Sequence, residues 1–416
     1  RQKRDSGEYF SNHCLRVATT LAEMKLDADT VAAGIIHDVL ENAVEQGFQI
    51  TAKDISEQFG ETVQTLALGT QNSEWDFTIE DEEVPGYKQM SEAELTLAKD
   101  AMYDERTQQK ILHQLSGEKG TDPRVILIKL ADRLDNTRTI KTMKGTIFES
   151  ADERQKRKAD DTLKAFSIYA KITGEIATRN ELADLAFEVV ENDRFMQIWQ
   201  AMQYVLNHEI NVDWQSPSRY ERVLAALSQI YNPERITEEM RQIIPLERIG
   251  MTKEALTVYL PGLYGMHQTW KRKKEKTTFT PFDLYAKMAI RIPDEQRGKQ
   301  SMADYCQSII ESFGENGWED VSAEYNKKEN SKPVDGALIF IRQKTTGRLL
   351  RVFIIHESVW KRERARIADL YRTDADEVSK QNAQAKLDDL KERYLALITE
   401  NGGSRDSARV LQQIGE

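Results

Sequence analysis

Apolar side chains recur at every third or fourth position through the first 190 residues, and this spacing is typical of amphipathic helices. It is clearest in five stretches, at 12–24, 31–40, 51–59, 61–68 and 125–134. Asp29 precedes the second stretch and is its predicted N-cap, because a carboxylate there can accept a bond from a free backbone N–H. The front of the chain is therefore predicted to be a helical domain.

The pattern changes after about residue 275. Segments rich in isoleucine, leucine, valine and phenylalanine predict three strands, at 284–292, 337–342 and 349–355. After residue 360 the chain is highly charged, and its apolar residues return to helical spacing. The predicted fold class is mostly α. The predicted domains are a helical domain at 1–190, a helical connector at 191–275, a smaller α+β domain at 276–360 and a charged helical tail at 361–416.

Composition narrows the class of protein. The net charge of −11 disfavours broad binding to DNA, and the mean hydropathy of −0.62 favours a soluble protein. No membrane span is predicted, because no apolar run approaches about 18 residues. No signal peptide is predicted, because the N-terminus lacks the pattern of one. Cys14 and Cys306 are too few for a disulfide framework, which favours the reducing cytoplasm.

The candidate chemistry begins with His37 and Asp38, an adjacent pair within an apolar helical stretch. Burying ionisable groups in such a place is costly unless they have partners. With the earlier His13 and the later Asp132 they offer two imidazoles and two carboxylates, a set that suits Mn²⁺, Fe²⁺ or Zn²⁺. Such a metal activates water towards a phosphate ester. Glu41 lies one turn beyond His37, where it could orient or deprotonate that water.

A second polar stripe lies on the predicted helix that starts near Val125. Lys129, Asp132, Arg133 and Asn136 occur at offsets of three, four and seven, so they share one helix face. Asp132 could complete a metal shell while the other side chains meet an anionic substrate. The alternative is that these residues are helix caps, salt bridges and one core histidine. That alternative explains an isolated His-Asp pair equally well, but four potential ligands in apolar helices favour the metal.

Three motifs resemble those of the RelA/SpoT homologue family, specifically its HD-type alarmone hydrolase domain. Residues 4–8 followed by His13 resemble the family's Arg-Lys-Ser-Gly-Glu entry and its first metal histidine. Residues 37–42 resemble its His-Asp-x-x-Glu-Asp motif, and residues 127–139 are similar to its Ala-Asp-Arg-Leu-His-Asn-Met-Arg-Thr helix. The order and the spacing of the motifs make this resemblance specific over about residues 1–190.

The resemblance implies an all-helical HD-type phosphohydrolase domain. Its implied activity is Mn²⁺-dependent removal of the 3′-pyrophosphate from guanosine tetra- and pentaphosphate, (p)ppGpp, which gives GDP or GTP. It assigns the metal to His13, His37, Asp38 and Asp132. It places Glu41 and Asn42 at the positions of the water-activating acidic pair. It assigns the substrate to Arg4, Ser6, Lys129, Asn136 and Arg138, with Lys129 or Arg138 neutralising phosphate.

Three residues depart from the family's motifs. Asn42 stands where the family usually has Asp, and an amide cannot act as a general base. Asp5 replaces a lysine, which places a negative charge near a polyanionic substrate. Asp135 replaces a histidine beside Asn136. These departures leave weakened activity or an altered base preference open.

The α+β domain resembles, less specifically, the nucleotidyltransferase-like synthetase domain of long family members. Ala286 stands where the family's strand carries its Mg²⁺-binding Asp, and Arg351 and Phe353 stand at the Glu and Gln of a later strand. Phosphoryl transfer depends on metal-held charge neutralisation, so a degenerate, inactive synthetase domain is predicted. The basic run at 271–274 is interpreted as a solvated helix end, with a remnant phosphate site and a regulatory nucleotide site as alternatives.

Three hypotheses follow. The main one is a cytoplasmic alarmone hydrolase that holds one Mn²⁺, or another divalent metal, in its site. The second is a non-catalytic alarmone sensor, favoured by Asn42 and Asp5 but disfavoured by a complete set of metal ligands. The third is an HD phosphohydrolase acting on another nucleotide, such as (p)ppApp. Coupling to the ribosome is not expected, because no regulatory region of the family is recognisable. For the charged tail two alternatives are open: it packs on the body of the protein, or it forms a homodimer contact.

Overall fold

The computed structural model describes most of the chain: residues 3–40, 47, 49–71, 80–92, 94–95, 98–99, 102, 122–146, 149–209, 228, 231–244, 246–273, 278–325 and 336–400. The chain divides into two compact units. The first unit contains residues 1–182 and 364–416, and the second unit contains residues 183–363. The described part is mostly helical, and it includes one five-stranded sheet in the second unit.

The first unit is built from helices. In chain order they are α1 (Phe10–Glu23), α2 (Ala28–Ile36), α3 (Ala52–Phe59), α4 (Glu61–Gly69), α5 (Arg124–Arg138), α6 (Ala151–Asp161), α7 (Ser167–Ile172) and α8 (Ile176–Val190), which extends into the second unit. Leu21 of α1, Ala33 of α2 and Leu127 of α5 are fully buried in one core. Gly34 has no side chain, which leaves room for Leu21 of the neighbouring helix. The close approach of α1, α2 and α5 determines where their polar residues meet.

The N-cap of α2 is Asp27, so the prediction of Asp29 for this role is wrong. The Asp27 carboxylate accepts a hydrogen bond of 2.8 Å from the backbone N–H of Thr30. Asp29 lies inside the first turn of the helix instead. Both residues are acidic and lie near the helix start, so the local pattern could not distinguish between them. The Asp27 cap stabilises the start of α2, the helix whose other end positions His37 as its C-cap.

The second unit combines further helices with the sheet. Its helices are α9 (Asn192–Glu209), α10 (Pro233–Ile243), α11 (Leu263–Lys271), α12 (Met302–Glu315), α13 (Ser322–Tyr325) and α14 (Glu357–Arg364). Its strands are β1 (Leu256–Tyr259), β2 (Tyr285–Ile292), β3 (Trp318–Asp320), β4 (Gly336–Gln343) and β5 (Leu349–His356). The sheet order is β1-β2-β5-β4-β3, with β2 parallel to β5 and every other pair antiparallel. The three predicted strands coincide with β2, β4 and β5, whereas the short strands β1 and β3 were not predicted.

The chain returns to the first unit after the sheet and ends its described part in α15 (Glu377–Glu400). Ile367 is fully buried, and its backbone N–H donates a hydrogen bond of 2.8 Å to the carbonyl of Thr173. Leu387 and Leu390 of α15 are buried in the same core as Leu21. This segment is therefore part of the core of the first unit. The four-part division of the sequence stays a prediction, and the compact units group the tail with the front of the chain.

A buried carboxyl lies where this returning segment meets the first unit. One guanidinium nitrogen of Arg366 lies 3.9 Å from Glu175 Oε2, and Glu175 Oε1 has no hydrogen-bond partner among the described residues. Burial raises the pKa of Glu175 from its ordinary value of 4.5 to about 7, against the attraction of Arg366. The folded state therefore binds this proton more tightly than the unfolded state does.

We expect the free energy of unfolding to fall as the pH rises from about 4.5 through about 7, because Glu175 must then ionise inside the protein. The shift corresponds to roughly 3 kcal/mol, lost in full above the folded-state pKa. The Glu175→Gln variant should lack this part of the pH dependence in urea unfolding between pH 4 and pH 8. Glu377→Gln, whose side chain is 83% exposed, is the control. Parallel pH profiles for Glu175→Gln and wild type would contradict the prediction.

None of the helices in the described ranges is both long and apolar enough to cross a membrane.

Candidate metal centre

Three helices bring the predicted metal ligands together at one buried point of the first unit. His13 lies on α1, His37 closes α2, and Asp132 lies on α5; all three residues are buried. Asp132 Oδ1 lies 3.3 Å from His13 Nε2 and 3.8 Å from His37 Nε2. One ligand atom from each residue lies within 4.8 Å of those of the other two, which is a separation that a single metal ion can bridge.

Asp38, the fourth predicted ligand, borders the same cluster. Its Oδ2 lies 3.2 Å from His37 Nε2 and 3.9 Å from His13 Nε2, and its side chain is 13% exposed. The structure therefore places two imidazoles and two carboxylates around one point, although they come from positions up to 119 residues apart in the chain.

The orientation of His37 fits a metal ligand. Its Nδ1 donates a hydrogen bond of 2.9 Å to the carbonyl of Gly34, one turn earlier on α2. A carbonyl can only accept, so Nδ1 carries the proton, and in the neutral ring the lone pair lies on Nε2. That Nε2 atom is buried and has no hydrogen-bond partner among the described residues. A buried polar atom in this state is costly, and a divalent cation at the centre of the cluster would remove the cost.

Opposite charges in the cluster stabilise one another. Burial opposes ionisation of Asp132, but the Lys129 ammonium and the two imidazoles hold the pKa of that carboxyl well below its usual range. Burial also opposes a charge on His13, but hydrogen bonds to Asp132 and Asp135 raise the pKa of His13 to about 9. Burial opposes a charge on His37 too, but the nearby carboxylates of Asp38 and Asp132 raise its pKa. A bound cation would replace these protons, so metal uptake should release protons.

Lys129 is buried next to Asp132 of the cluster. Its Nζ lies 3.4 Å from Asp132 Oδ2 and donates a hydrogen bond of 3.2 Å to the carbonyl of Thr70. Asn136 lies one turn along α5 and donates to Asp132 Oδ1 over 2.6 Å. Both residues, predicted as substrate contacts, therefore contact the candidate ligand Asp132 directly.

The other predicted substrate contacts lie at different depths. A guanidinium nitrogen of Arg4 donates to Asp135 Oδ2 over 3.0 Å, and another bonds to Asn136 Oδ1, so Arg4 borders the cluster. Ser6 lies on the exposed turn that precedes α1. Arg138 is exposed and donates to both carboxylate oxygens of Glu181, over 2.6 and 3.0 Å. The ion pair with Glu181 raises the pKa of Arg138.

Asp5, the acidic departure in the entry motif, is paired with a cation. Its Oδ2 accepts a hydrogen bond of 3.1 Å from Arg154 and another of 3.2 Å from the backbone N–H of Lys144. Its negative charge is therefore partly neutralised within the protein. Glu41 and Asn42, the predicted water-activating pair, lie outside the described residues.

The sequence analysis assigned no role at the site to three further residues: Glu8, Arg16 and Asp135. Arg16 Nε donates to Asp135 Oδ1 over 2.5 Å, and the two terminal nitrogens of Arg16 contact Glu8. Asp135 Oδ2 lies 2.7 Å from His13 Nδ1. Glu8 and Asp135 lie within the motifs at 4–8 and 127–139. Spacing was a further signal, because Asp135 lies three residues beyond Asp132 on α5 and Arg16 lies three residues beyond His13 on α1.

A helical unit that gathers two histidines and two aspartates at a buried point is typical of HD-type metal-dependent phosphohydrolase domains, and residues 1–175 match the family model described as the HD domain. This class requires a divalent metal, and the His13, His37 and Asp132 cluster can accommodate one. Over about half of its length the chain is homologous to proteins of the RelA/SpoT family, as its motifs predicted.

Three relatives show the extent of this similarity. The chain is 30% identical over 197 residues to the guanosine-3′,5′-bis(diphosphate) 3′-pyrophosphohydrolase of Aquifex aeolicus, covering 47% of this chain and 23% of that protein. It is 30% identical over 202 residues to the bifunctional (p)ppGpp synthase/hydrolase SpoT of Escherichia coli, covering 49% and 24%. It is 31% identical over 189 residues to the GTP pyrophosphokinase of Streptomyces coelicolor, covering 45% and 18%. The chain thus spans less than a quarter of the length of these relatives.

Proposed function

We propose that the first unit is a Mn²⁺-dependent (p)ppGpp 3′-pyrophosphohydrolase, which releases pyrophosphate and leaves GDP or GTP. The observation that carries this proposal is the buried meeting of His13, His37 and Asp132, with Asp38 beside them, inside an HD domain. Relatives named for this hydrolysis align with 47% of the chain. When bound, the metal would lower the pKa of a water molecule and polarise a phosphoryl oxygen.

The protein's own residues would prepare the reaction in four ways. The two imidazoles present Nε2, and Asp132 and Asp38 supply negative charge, so together they would hold the cation. The Lys129 ammonium, 3.4 Å from Asp132 Oδ2, stabilises the ionised state of Asp132. Arg4 is the cation at the edge of the cluster, and its planar guanidinium suits the phosphates of the substrate. Glu41 is our candidate for taking the proton from the attacking water, beside Asn42.

The remaining substrate contacts follow from position. Ser6 lies on the exposed turn beside Arg4, where its hydroxyl could reach the nucleotide. Asn136 holds Asp132 through its amide N–H while its carbonyl oxygen bonds to Arg4, so it connects the candidate metal ligand to the candidate phosphate contact. Arg138 is our candidate for a further positive charge near the phosphates, and its guanidinium is paired with Glu181 at the surface.

The environment of Asp5 removes one objection to binding of a polyanionic substrate. As a free carboxylate it would repel a polyanion, but Arg154 and a backbone N–H satisfy it. The free thiols of Cys14 and Cys306 support our placement of the protein in the reducing cytoplasm.

We further propose that the second unit is a degenerate synthetase domain without pyrophosphate-transfer activity. Ala286 is fully buried on β2, and the Arg351 guanidinium lies 5.9 Å from the ring of Phe340. A buried carboxylate does lie three residues before Ala286, at Asp283, but it is bonded to Lys273 and to the Tyr325 hydroxyl. Incubation with ATP and GTP should give no (p)ppGpp, and its formation would overturn this proposal.

The hydrolase proposal is tested by incubating the full chain with radiolabelled ppGpp and Mn²⁺ while following pyrophosphate and GDP. We expect turnover that requires Mn²⁺ and that falls on the order of 10³-fold in Asp38→Asn, because the loss of a metal ligand removes several kcal/mol of transition-state stabilisation. Asp152→Asn, whose side chain is 74% exposed on α6, is the matched control. Saturable ppGpp binding without turnover would indicate the sensor, and faster turnover of ppApp would indicate an adenine substrate.

A further inference from the structure

Asp135 is an acidic residue at the centre of a polar network behind the candidate metal ligands. It is almost fully buried on α5. Its Oδ2 lies 2.7 Å from His13 Nδ1 and accepts a hydrogen bond of 3.0 Å from Arg4. Its Oδ1 accepts a bond of 2.5 Å from Arg16 Nε, and its Oδ2 accepts another of 3.1 Å from the same guanidinium. A buried carboxylate with two arginines and an imidazole is fully supplied with donors.

These donors determine the direction of the bond to His13. Arg4 and Arg16, whose guanidinium groups are always protonated, donate three hydrogen bonds to Asp135, and this arrangement holds the carboxylate in its ionised form. An ionised carboxylate can only accept, so the proton of this hydrogen bond lies on His13 Nδ1. The opposite ring nitrogen, Nε2, then faces Asp132 Oδ1 at 3.3 Å and Asp38 Oδ2 at 3.9 Å. His13 thus presents its Nε2 to the cluster, as His37 does.

We propose that Asp135 is a positioning residue that fixes the ring orientation and the tautomer of His13, so that Nε2 of His13 is ready to bind the metal. The inference rests on the proposed metal site. The ring of His37 is oriented in the same way, but by a neutral group, the backbone carbonyl of Gly34. Asp135 differs because it is charged, and a carboxylate on Nδ1 makes the other ring nitrogen a more basic ligand. The orienting group of His13 is a side chain, whereas that of His37 is a backbone carbonyl. A substitution of Asp135 can therefore test the effect on metal binding by His13.

The same carboxylate also connects His13 to the turn that precedes α1. Arg4 bonds to both Asp135 and Asn136, and Glu8 accepts bonds from Arg4 and Arg16. Arg4 is the candidate phosphate contact, so one buried carboxylate anchors both the substrate-facing turn and a metal ligand. Removing its charge should therefore weaken metal binding first, and substrate binding as well.

The test is a calorimetric titration of the metal-free full chain with Mn²⁺ alone. Asp135→Asn keeps the shape of the side chain but removes its charge and offers His13 an N–H as readily as a carbonyl oxygen. We expect its Mn²⁺ affinity to fall about 10- to 100-fold, the usual effect of losing a residue that orients a ligating histidine. Asp152→Asn should bind Mn²⁺ as wild type does. Equal affinity in Asp135→Asn and wild type would overturn the inference.

A second measurement uses wild-type protein, so it stands even if Asp135→Asn does not fold. The chain is labelled with ¹⁵N-histidine and loaded with ¹¹³Cd²⁺, and His13→Gln identifies the signals of His13. We expect ¹¹³Cd coupling to Nε2 of His13 and a proton on Nδ1. Coupling to Nδ1, or no coupling to His13, would overturn the inference.

The two measurements separate this inference from the proposed function. If wild type binds Mn²⁺ and hydrolyses ppGpp but Asp135→Asn does both equally well, the hydrolase stands and the role of Asp135 falls. If wild type binds neither Mn²⁺ nor Cd²⁺, the metal site itself is overturned, and the inference falls with it.

Discussion

Pyrophosphate release from ppGpp is expected to fall by on the order of 10³-fold or more when Asp132 is replaced by asparagine. Asp132 Oδ1 is the atom shared by the cluster, because it lies within 3.8 Å of the Nε2 atoms of both His13 and His37. The asparagine amide is nearly the same size as the carboxylate but carries no charge. Its NH₂ group is a hydrogen-bond donor with partial positive charge, which a cation repels. The variant should therefore lose Mn²⁺ binding in calorimetry together with hydrolysis.

The same substitution should also destabilise the first unit. Lys129 is buried, and its ammonium lies 3.4 Å from Asp132 Oδ2, so losing that carboxylate removes the charge that balances it. We expect a loss of roughly 1–3 kcal/mol in the free energy of unfolding. The double variant Asp132→Asn/Lys129→Met removes both charges, and it should recover much of this stability while remaining inactive. This control separates lost chemistry from lost folding. Turnover by Asp132→Asn within ten-fold of wild type would contradict the proposed metal site.

Ile367→Asp is expected to unfold the first unit, although residue 367 is more than 200 positions from any candidate metal ligand in the chain. Ile367 is fully buried in the core that contains Leu21 and Leu127, and its backbone N–H is bonded to Thr173. An unpaired carboxylate at such a position costs more than about 4 kcal/mol. That is a large share of the roughly 5–15 kcal/mol that stabilises a typical domain.

The matched control lies eleven residues further along the chain. Val378 is 62% exposed at the start of α15, so Val378→Asp should change the free energy of unfolding by no more than about 0.5 kcal/mol. Urea unfolding and Mn²⁺ binding should be measured on both variants. If Ile367→Asp unfolds at the wild-type midpoint and hydrolyses ppGpp normally, the returning segment is not part of the hydrolase core.

Local patterns in the sequence predicted the four candidate metal ligands, and their metal-binding role stays a prediction. His37 and Asp38 are neighbours in the chain, and an ionisable pair within an apolar helix already indicates an unusual partner. The polar stripe containing Asp132 was visible from helical spacing alone. Because the ligands are defined by their own short motifs, their meeting point in the fold did not have to be known in advance.

The surroundings of the site were less accessible to the sequence. Asp135 appeared there only as a departure beside Asn136, and nothing local shows that it meets His13 from a different helix. Arg138 was a candidate for phosphate, but its Glu181 partner lies 43 residues away. Lys129 is predicted as a substrate contact, and only the packing of α4 against α5 shows that its ammonium also lies 3.4 Å from Asp132 Oδ2. Long-range pairing of charges leaves no periodic signal in a sequence.

The sequence by itself determined the helical front of the chain, the three longer strands, the HD motifs and the residue types of the candidate metal ligands, because each of these depends on residues within a few turns of one another. Tertiary structure alone decided that residues 364–400 return to the first unit, that Asp27 rather than Asp29 caps α2, and that Asp135 faces His13. The physical reason is that periodicity and motifs report which face of an element is apolar. The partner of that face is chosen by packing complementarity and charge pairing between elements that the chain separates by tens to hundreds of residues.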